Sequence, residues 1–423
     1  MAKSGFMKVA VGGPESALGT AVARTSRLPV TEPVFLIQKA VNEDKEFITG
    51  RNTKAGYVKV AEECNASVSM NLVATKGLNI VLRSVLGLMS TPAQVGCGIS
   101  LVYDGEAESC KIVVTSDTIT AAIGAKGAEV ADANFGTTGT YSLAGKTLAD
   151  LVTDITAFTG YTAVALYGDP TASAAAAVAI TAAQAKARAL PIHFTSATSG
   201  AYLRIFTPQL TNDELPGFSI QSDGDGDNRL GSGAVVDSMN ITADLKAKVK
   251  ATLELMMLTV TAGQTAITAN LGDDDKDVLK FSDGLTYIGG AKFCYIKNLT
   301  IDVANNHGAD EGYCQGQQTK AKHAKGQFGV TGSSTIPVDS ASEAERIKSL
   351  SALKSSLMAR FLGRTYGNGI NAAVIFDVPA LQYTDDSKSA GDATLEQSLS
   401  WEMIDELSYD SPFAIHTITR EAV

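Results

Sequence analysis

Residues 239–257 read MNITADLKAKVKATLELMM. Every odd position is apolar: Met239, Ile241, Ala243, Leu245, Ala247, Val249, Ala251, Leu253, Leu255 and Met257. Every even position up to Glu254 is polar: Asn240, Thr242, Asp244, Lys246, Lys248, Lys250, Thr252 and Glu254. Strict alternation is the period of a strand with one buried and one wetted face. Ordinary strands run about 5–6 residues, whereas this stretch, read as one element, would span ~60 Å at ~3.3 Å per residue. It holds no Gly or Pro to turn it. An amphipathic helix is the alternative, because Leu245, Val249 and Leu253 also recur at helical spacing and Lys, Ala, Leu and Glu favour helix. A helix would leave Ala243, Ala247 and Ala251 without a role, and Val235-Val236-Asp237-Ser238 makes no clean helix start. The strand is the preferred reading, with a greasy face and a charged one.

The rest of the chain is consistent with a β protein of ordinary globular make-up. It has 423 residues, 45% hydrophobic and 19% charged, enough to bury a core and to form two or three domains. The net charge of −10 argues against a basic surface that wraps nucleic acid. Cys64, Cys97, Cys110, Cys294 and Cys314 are odd in number and lack CxxC spacing, which reads as free thiols in a reducing compartment. The opening MAKSGFMKVAVGGPESALG has no continuous apolar run of the secretory kind, and no stretch approaches the ~18 apolar residues of a membrane-spanning helix. The expectation is a chain made and folded in a cytoplasm.

Along the chain, residues 1–45 read as an extended arm broken by Pro29, Pro33 and several Gly. Tyr57 to Leu72 alternates, with Ala66, Val68, Met70 and Leu72 against Ser67, Ser69 and Asn71. Leu78 to Leu88 predicts a short apolar helix stopped near Gly87. Thr147 to Phe158 predicts another, with Leu148, Leu151, Ile155 and Phe158 on one stripe and Gly160 as its stop. The Ala-rich tract TASAAAAVAITAAQAKARAL, residues 171–190, has high helix propensity. Residues 293–303 alternate, Phe293, Tyr295, Leu299, Ile301 and Val303 against Cys294, Asn298, Thr300 and Asp302. A helix from about Ser342 to Leu362 is predicted next, with Ser340 and Glu343 as a capping box and Ile347, Leu350, Leu353, Leu357 and Phe361 as its stripe. Strands follow over 372–378 and 413–420.

No catalytic constellation emerges. His193, His307, His323 and His416 sit in no metal-binding spacing. Asp223, Asp225 and Asp227 start like a Ca²⁺ loop, but Asn228 takes the Gly position and Ala234 the place of the bidentate Glu, so a solvated turn is the preferred reading. GxSxG and Walker sequences are absent. The acidic run Asp273-Asp274-Asp275-Lys276-Asp277 reads as a hairpin tip. The expectation is no enzyme, no catalytic residue, no metal and no cofactor.

Several stretches together resemble the major tail tube proteins of long, non-contractile-tailed bacteriophages. VVDSMNITADLKAKVKATLELMM resembles the family's first inner strand. FCYIKNLTIDVANNHGADEGYCQG resembles a strand that ends in an Asn-containing turn before a Gly-rich loop. GQFGVTGSSTIPVDSASEAERIKSL is similar to the family's strand-then-helix segment. AAVIFDVPALQYTDDSKSAGDATLEQSLSWEM resembles its closing strands, and AGYVKVAEECNASVSMNLVATKGLNIVLRSVLG its leading strands and short helix. About two-thirds of the chain is covered. The block from 101 to 215 does not match the tube core and looks like an added surface domain.

The resemblance implies a mainly β tail-tube sandwich or barrel with long inner strands and a flanking α-helix, plus an inserted small α+β domain. The expected layout is a 1–45 arm, a 46–100 first tube part, a 101–215 insert and a 216–423 second tube part. It further implies hexameric rings that pool their strands into one barrel and stack into a hollow tube. Asp244, Lys246, Lys248, Lys250, Thr252 and Glu254 become lumen candidates. Because three of these are lysines, an acidic lining has to come partly from other strands. Asp273, Asp274, Asp275, Asp277, His307 and Asp310 become candidates for contact between rings. The implied partners are further copies of the chain and the tape measure, tail terminator and tail tip proteins. Viral DNA would transit without specific binding, and the protein would sit in the virion tail after assembly in the host cytoplasm, without membrane insertion. The alternatives are another virion component such as a decoration or tail-end protein, an outer-membrane barrel, and a sandwich enzyme acting on carbohydrate. A barrel of the membrane kind would carry aromatic girdles, whereas aromatic residues are 6% here. The enzyme would need paired carboxylates across a cleft.

Overall fold

The computed structural model describes residues 8–44, 57–211, 214–224, 227–267, 271, 278–308, 311–315, 317–367, 369–390, 395–405 and 411–420. Among the described residues it is mainly β, with three α-helices. The largest sheet follows from the alternating stretches. In order across the sheet it runs Ile37–Asp44, Tyr57–Asn71, Lys250–Met257, Asp227–Asp244, Asn298–Ala304, Gly329–Pro337, Leu395–Met403 and the second half of Ile370–Ala390, every neighbouring pair antiparallel. Each strand sends one set of side chains inward. Val68, Leu253, Met239, Val303 and Val330 form one buried cross-strand row. Met70, Ala251, Ile241 and Ile301 form the next.

The opening stretch is therefore strand on both sides, but it is not one strand. Asp227–Asp244 and Lys250–Met257 are the arms of a hairpin, with Lys246 at φ 64° in the turn between them. From Ser238↔Glu254 to the turn, paired positions differ by even numbers, as in Ile241↔Ala251 and Thr242↔Lys250. Facing residues in a sheet point the same way, so odd positions are core positions on both arms. A strict alternation passes through such a hairpin without a phase change.

Two long strands cross from one sheet to another. Asp227–Asp244 pairs first with Phe218–Gly224 and Thr259–Ala262, then with Lys250–Met257 and Asn298–Ala304. Gly233, at φ 62°, makes the bend, and a Cβ there would stand 2.7 Å from Leu258 Cγ. Ile370–Ala390 pairs first with Ser355–Gly367 and Ala414–Thr419, then with Leu395–Met403. Pro379 occupies the crossing, where a missing N–H costs no ladder bond. A second layer, built on Gly284–Ile288, Ser355–Gly367, Ala414–Thr419 and Tyr202–Pro208, faces the large sheet across the main core. The sheets do not close into a barrel within one chain.

Residues 8–44, read above as an arm, contribute Lys8–Gly12 and Ile37–Asp44 to the sheets and bury Val9, Val11, Leu28, Val34 and Leu36. Helix α1, Lys76–Leu86, matches its expectation: Thr75 caps it through the Leu78 N–H, and Gly87, at φ 91°, ends it. Helix α2, Leu148–Ala157, is closed by a Thr147–Asp150 capping box and followed by Gly160 at φ 81°. A separate apolar core runs from Cys97 to Phe194, around Phe135, Tyr141, Phe158 and Tyr161. A third apolar layer, with Val102, Leu166, Tyr167, Leu203, Tyr287 and Ile375, joins it to the larger sheets.

Two expected helices are corrected. The Ala-rich tract is not helical: it forms turns, the strand Ile180–Gln184 and the start of Leu190–Thr195. Ala174, Ala183 and Ala185 are buried instead as small residues in the Cys97–Phe194 core and Ala189 in the third layer, and Ala174 donates its N–H to the Lys146 carbonyl at 2.9 Å. Burial outweighs a propensity worth tenths of a kcal/mol per residue. Helix α3 covers Ser340–Leu350 only, and Ser355–Gly367 is a strand that buries Leu357 and Phe361. Its cap is Asp339 with Ser342, not Ser340 with Glu343.

Candidate assembly face and contact loops

The outward face of the large sheet is a grid of small polar side chains. One cross-strand row is Ser69, Thr252, Asn240, Asp302, Thr331, Glu402 and Gln382. The next is Asn71, Lys250, Thr242, Thr300, Ser333, Ser400 and Asp385. A third begins Asp244, Asn298, Thr335, Ser398 and Ser387. The groups tie neighbouring strands together. Ser67 Oγ donates to Glu254 Oε1 at 2.7 Å, and the Thr300 and Ser333 hydroxyls share a hydrogen bond of 2.8 Å. Asn240 Nδ2 donates to Asp302, and Asn298 Nδ2 to Asp244. No aromatic side chain stands in these three rows, so the face offers bases nothing to stack on.

Asp244, Lys250, Thr252 and Glu254 lie together on this face. Lys246 and Lys248 lie apart from it, in the turn at its rim. The face gains carboxylates from strands that the lumen candidates leave out, Asp302 and Glu402 among them. The signal for Ser69, Asn71, Asn298 and Asp302 was present in the alternation of 57–72 and 293–303, but only the register places these polar positions in the same rows as Thr252, Lys250 and Asp244.

Asp273, Asp274, Asp275, Asp277 and Asp310 lie outside the described residues. His307 is buried, not displayed: its backbone N–H donates to Asp237 Oδ1 at 2.7 Å, and its ring packs edge-on against His323 at 6.1 Å between centroids. His323 Nε2 bonds the Gly233 carbonyl at 2.8 Å, which pins His323 onto the strand crossing. Burial lowers the pKa of His307 and holds His323 at about 4. Asp223, Gly224, Asp227 and Asn228 form a hairpin end rather than a Ca²⁺ loop, with Asp223 accepting from the Ile267 N–H. Among the described residues no group of three or more His, Cys, Asp or Glu is placed to hold a metal ion.

The joint between the Cys97–Phe194 core and the larger sheets holds several strongly perturbed groups. Arg188 Nη2 meets Asp377 Oδ2 at 2.6 Å, both side chains buried. The Tyr167 hydroxyl bonds His193 Nδ1 at 2.8 Å, and His193 Nε2 bonds His416 Nδ1 at 2.8 Å. Burial drives the His193 pKa well below the ordinary range and holds His416 at about 3, with Arg188 adding to the latter. Burial pushes the Asp377 carboxyl up against the pull of Arg188. Arg188, His193, Asp377 and His416 line a cavity of about 180 Å³ together with Val178 and Ile180.

A sheet with a dry face, a wet hydroxyl- and carboxylate-rich face and two open edges defines a structural subunit built to assemble. The comparison with protein families agrees. The family described as phage tail tube protein matches residues 189–403, half of the chain, and the chain belongs to that family. It is a structural protein of the virion tail. No curated protein matches it, and no helix among its described residues is long and apolar enough to cross a membrane.

Proposed function

We propose that six copies close their large sheets into a ring, and that rings stack into the hollow tube through which viral DNA leaves the particle. The observation that carries this reading is the two-faced sheet. A wet face eight strands wide ends in two edges, Ile37–Asp44 and the second half of Ile370–Ala390, each bonded on one side only among the described strands. Unpaired edges are a liability in a free subunit, and a closed barrel of many strands removes them. The hydroxyl-rich face then lines the channel, where its carboxylates repel phosphate and DNA slides without specific binding. The joined insert stands as a surface domain on the outside of the tube. The segment around 307–325 and the acidic run at 273–277 reach the neighbouring rings. Tape measure, terminator and tip proteins are the expected partners along the tail, which assembles in the host cytoplasm.

Negative-stain electron microscopy of the purified protein, without detergent and over a range of concentrations, tests this. Rings or hollow filaments with an open channel are the expected result. Monomers that persist at the highest concentration would overturn it.

A further inference from the structure

Helix α3 buries its polar side and exposes its apolar one. Ser342 and Glu345 are the buried residues of the helix. Ile347 is 54% exposed and Leu350 66%, and Leu353 just beyond the end is 55% exposed. With exposed Ala344 they follow a three-residue step, which on a helix makes one continuous stripe. The helix cannot roll to hide the stripe, because Glu345 anchors it. Tyr383 Oη and Ser355 Oγ donate to Glu345 Oε2 at 2.7 and 2.6 Å, and Lys348 Nζ meets Oε1 at 2.6 Å. A helix whose local pattern asks for burial that its own chain withholds is a partner surface.

We propose that this stripe is the lateral contact with a second copy of this chain, an inference that rests on the ring reading above. Helix α3 packs beside Ile370–Ala390, and Glu343 pairs with Lys388 on that strand. It therefore sits at one edge of the large sheet. In a head-to-tail ring that edge meets the opposite edge of the next copy. The opposite end exposes Phe35 at 62% and Ile37 at 47%, an apolar counterpart.

The test compares the full chain with Ile347→Glu and Leu350→Glu by analytical ultracentrifugation and negative-stain microscopy. Both positions are exposed, so unchanged circular dichroism and melting temperature verify the fold. The expected result is that the unaltered chain forms rings and the variants stay monomeric, or need at least about tenfold more protein to assemble, because a charge is buried without a partner. Variants that assemble at the same concentration as the unaltered chain would overturn the contact and leave the tube reading standing. Variants that make rings unable to stack would move the stripe to the axial contact and overturn the lateral one. Failure of the unaltered chain to assemble would overturn the tube reading itself, and the contact with it.

Discussion

Gly332 faces Trp401 across the Gly329–Pro337 and Leu395–Met403 strands. A Cβ at that position would stand 2.3 Å from Trp401 Cζ2 and 2.4 Å from the Thr300 carbonyl oxygen. The indole fills the place of the missing side chain, so Gly332→Ala is expected to destabilise the chain by about 1–3 kcal/mol through overpacking. Urea unfolding followed by the fluorescence of Trp401, the single Trp, measures it; an unchanged midpoint would contradict the packing. The buried histidines give a second expectation. His416 and His323 have folded pKa values of about 3 and about 4, below the ordinary 6.5. Their neutral forms stabilise the fold fully above pH 6.5, and that stability is lost as pH falls toward the folded values. The melting temperature is expected to drop between pH 6.5 and 4, with up to about 1.4 kcal/mol per pH unit for each such group. His416→Gln should flatten that dependence, and an equally steep profile in the variant would assign the loss to carboxylates alone.

At the scale of elements, α3 separates a cap read by eye from the cap that forms. Asp339 accepts from the Ser342 N–H at 2.8 Å, while the Ser342 hydroxyl accepts from the Asp339 N–H. Glu343 instead pairs with Arg346 and Lys388, which hold its carboxyl at about 2. Asp339→Ala is expected to cost about 1 kcal/mol, and Ser340→Ala less than about 0.5 kcal/mol. Chemical denaturation of the two variants side by side decides between the caps. The short reach of α3 has a tertiary cause as well. Leu357 and Phe361 continue the helical stripe in sequence, but Ser355–Gly367 pairs with Gly284–Ile288 and Ile370–Ala390 and buries both in the main core. Two ladders and a core position outweigh one more turn of helix.

For the whole molecule, the question is whether the insert is a passenger. Its core from Cys97 to Phe194 is its own, yet the third apolar layer and the Arg188–Asp377 pair fasten it to the tube sheets. One cooperative transition is expected in calorimetry of the full chain, since removing either partner of a buried pair costs about 3–5 kcal/mol. Two resolved transitions would make the insert an independent unit. In the Asp377→Asn variant, the loss should appear in that same single transition.

The alternation alone determined which side chains face inward on 64–72, 239–243, 249–257 and 299–303, and its polar half already marked Asp244, Lys250, Thr252 and Glu254 as one wetted surface; Leu245 and Tyr295, on the same apolar series, are instead 50% and 74% exposed, because the strands end before them. The Gly stops and Thr caps of α1 and α2 were equally local and equally legible, because capping and left-handed backbone depend on neighbours in sequence. The resemblance in strand order pointed to the family. Only the tertiary structure decided that 239–257 is a hairpin, since even pairing offsets preserve the parity of core positions through the turn. Pairing alone placed Asp302 and Glu402 in the same cross-strand row as Thr252. The fate of the Ala-rich tract and of Ile347, Leu350 and Leu353 also lay beyond the local pattern. Alanine fits a packed strand as readily as a helix, and an apolar stripe specifies that something must cover it without specifying whether that cover belongs to the same chain.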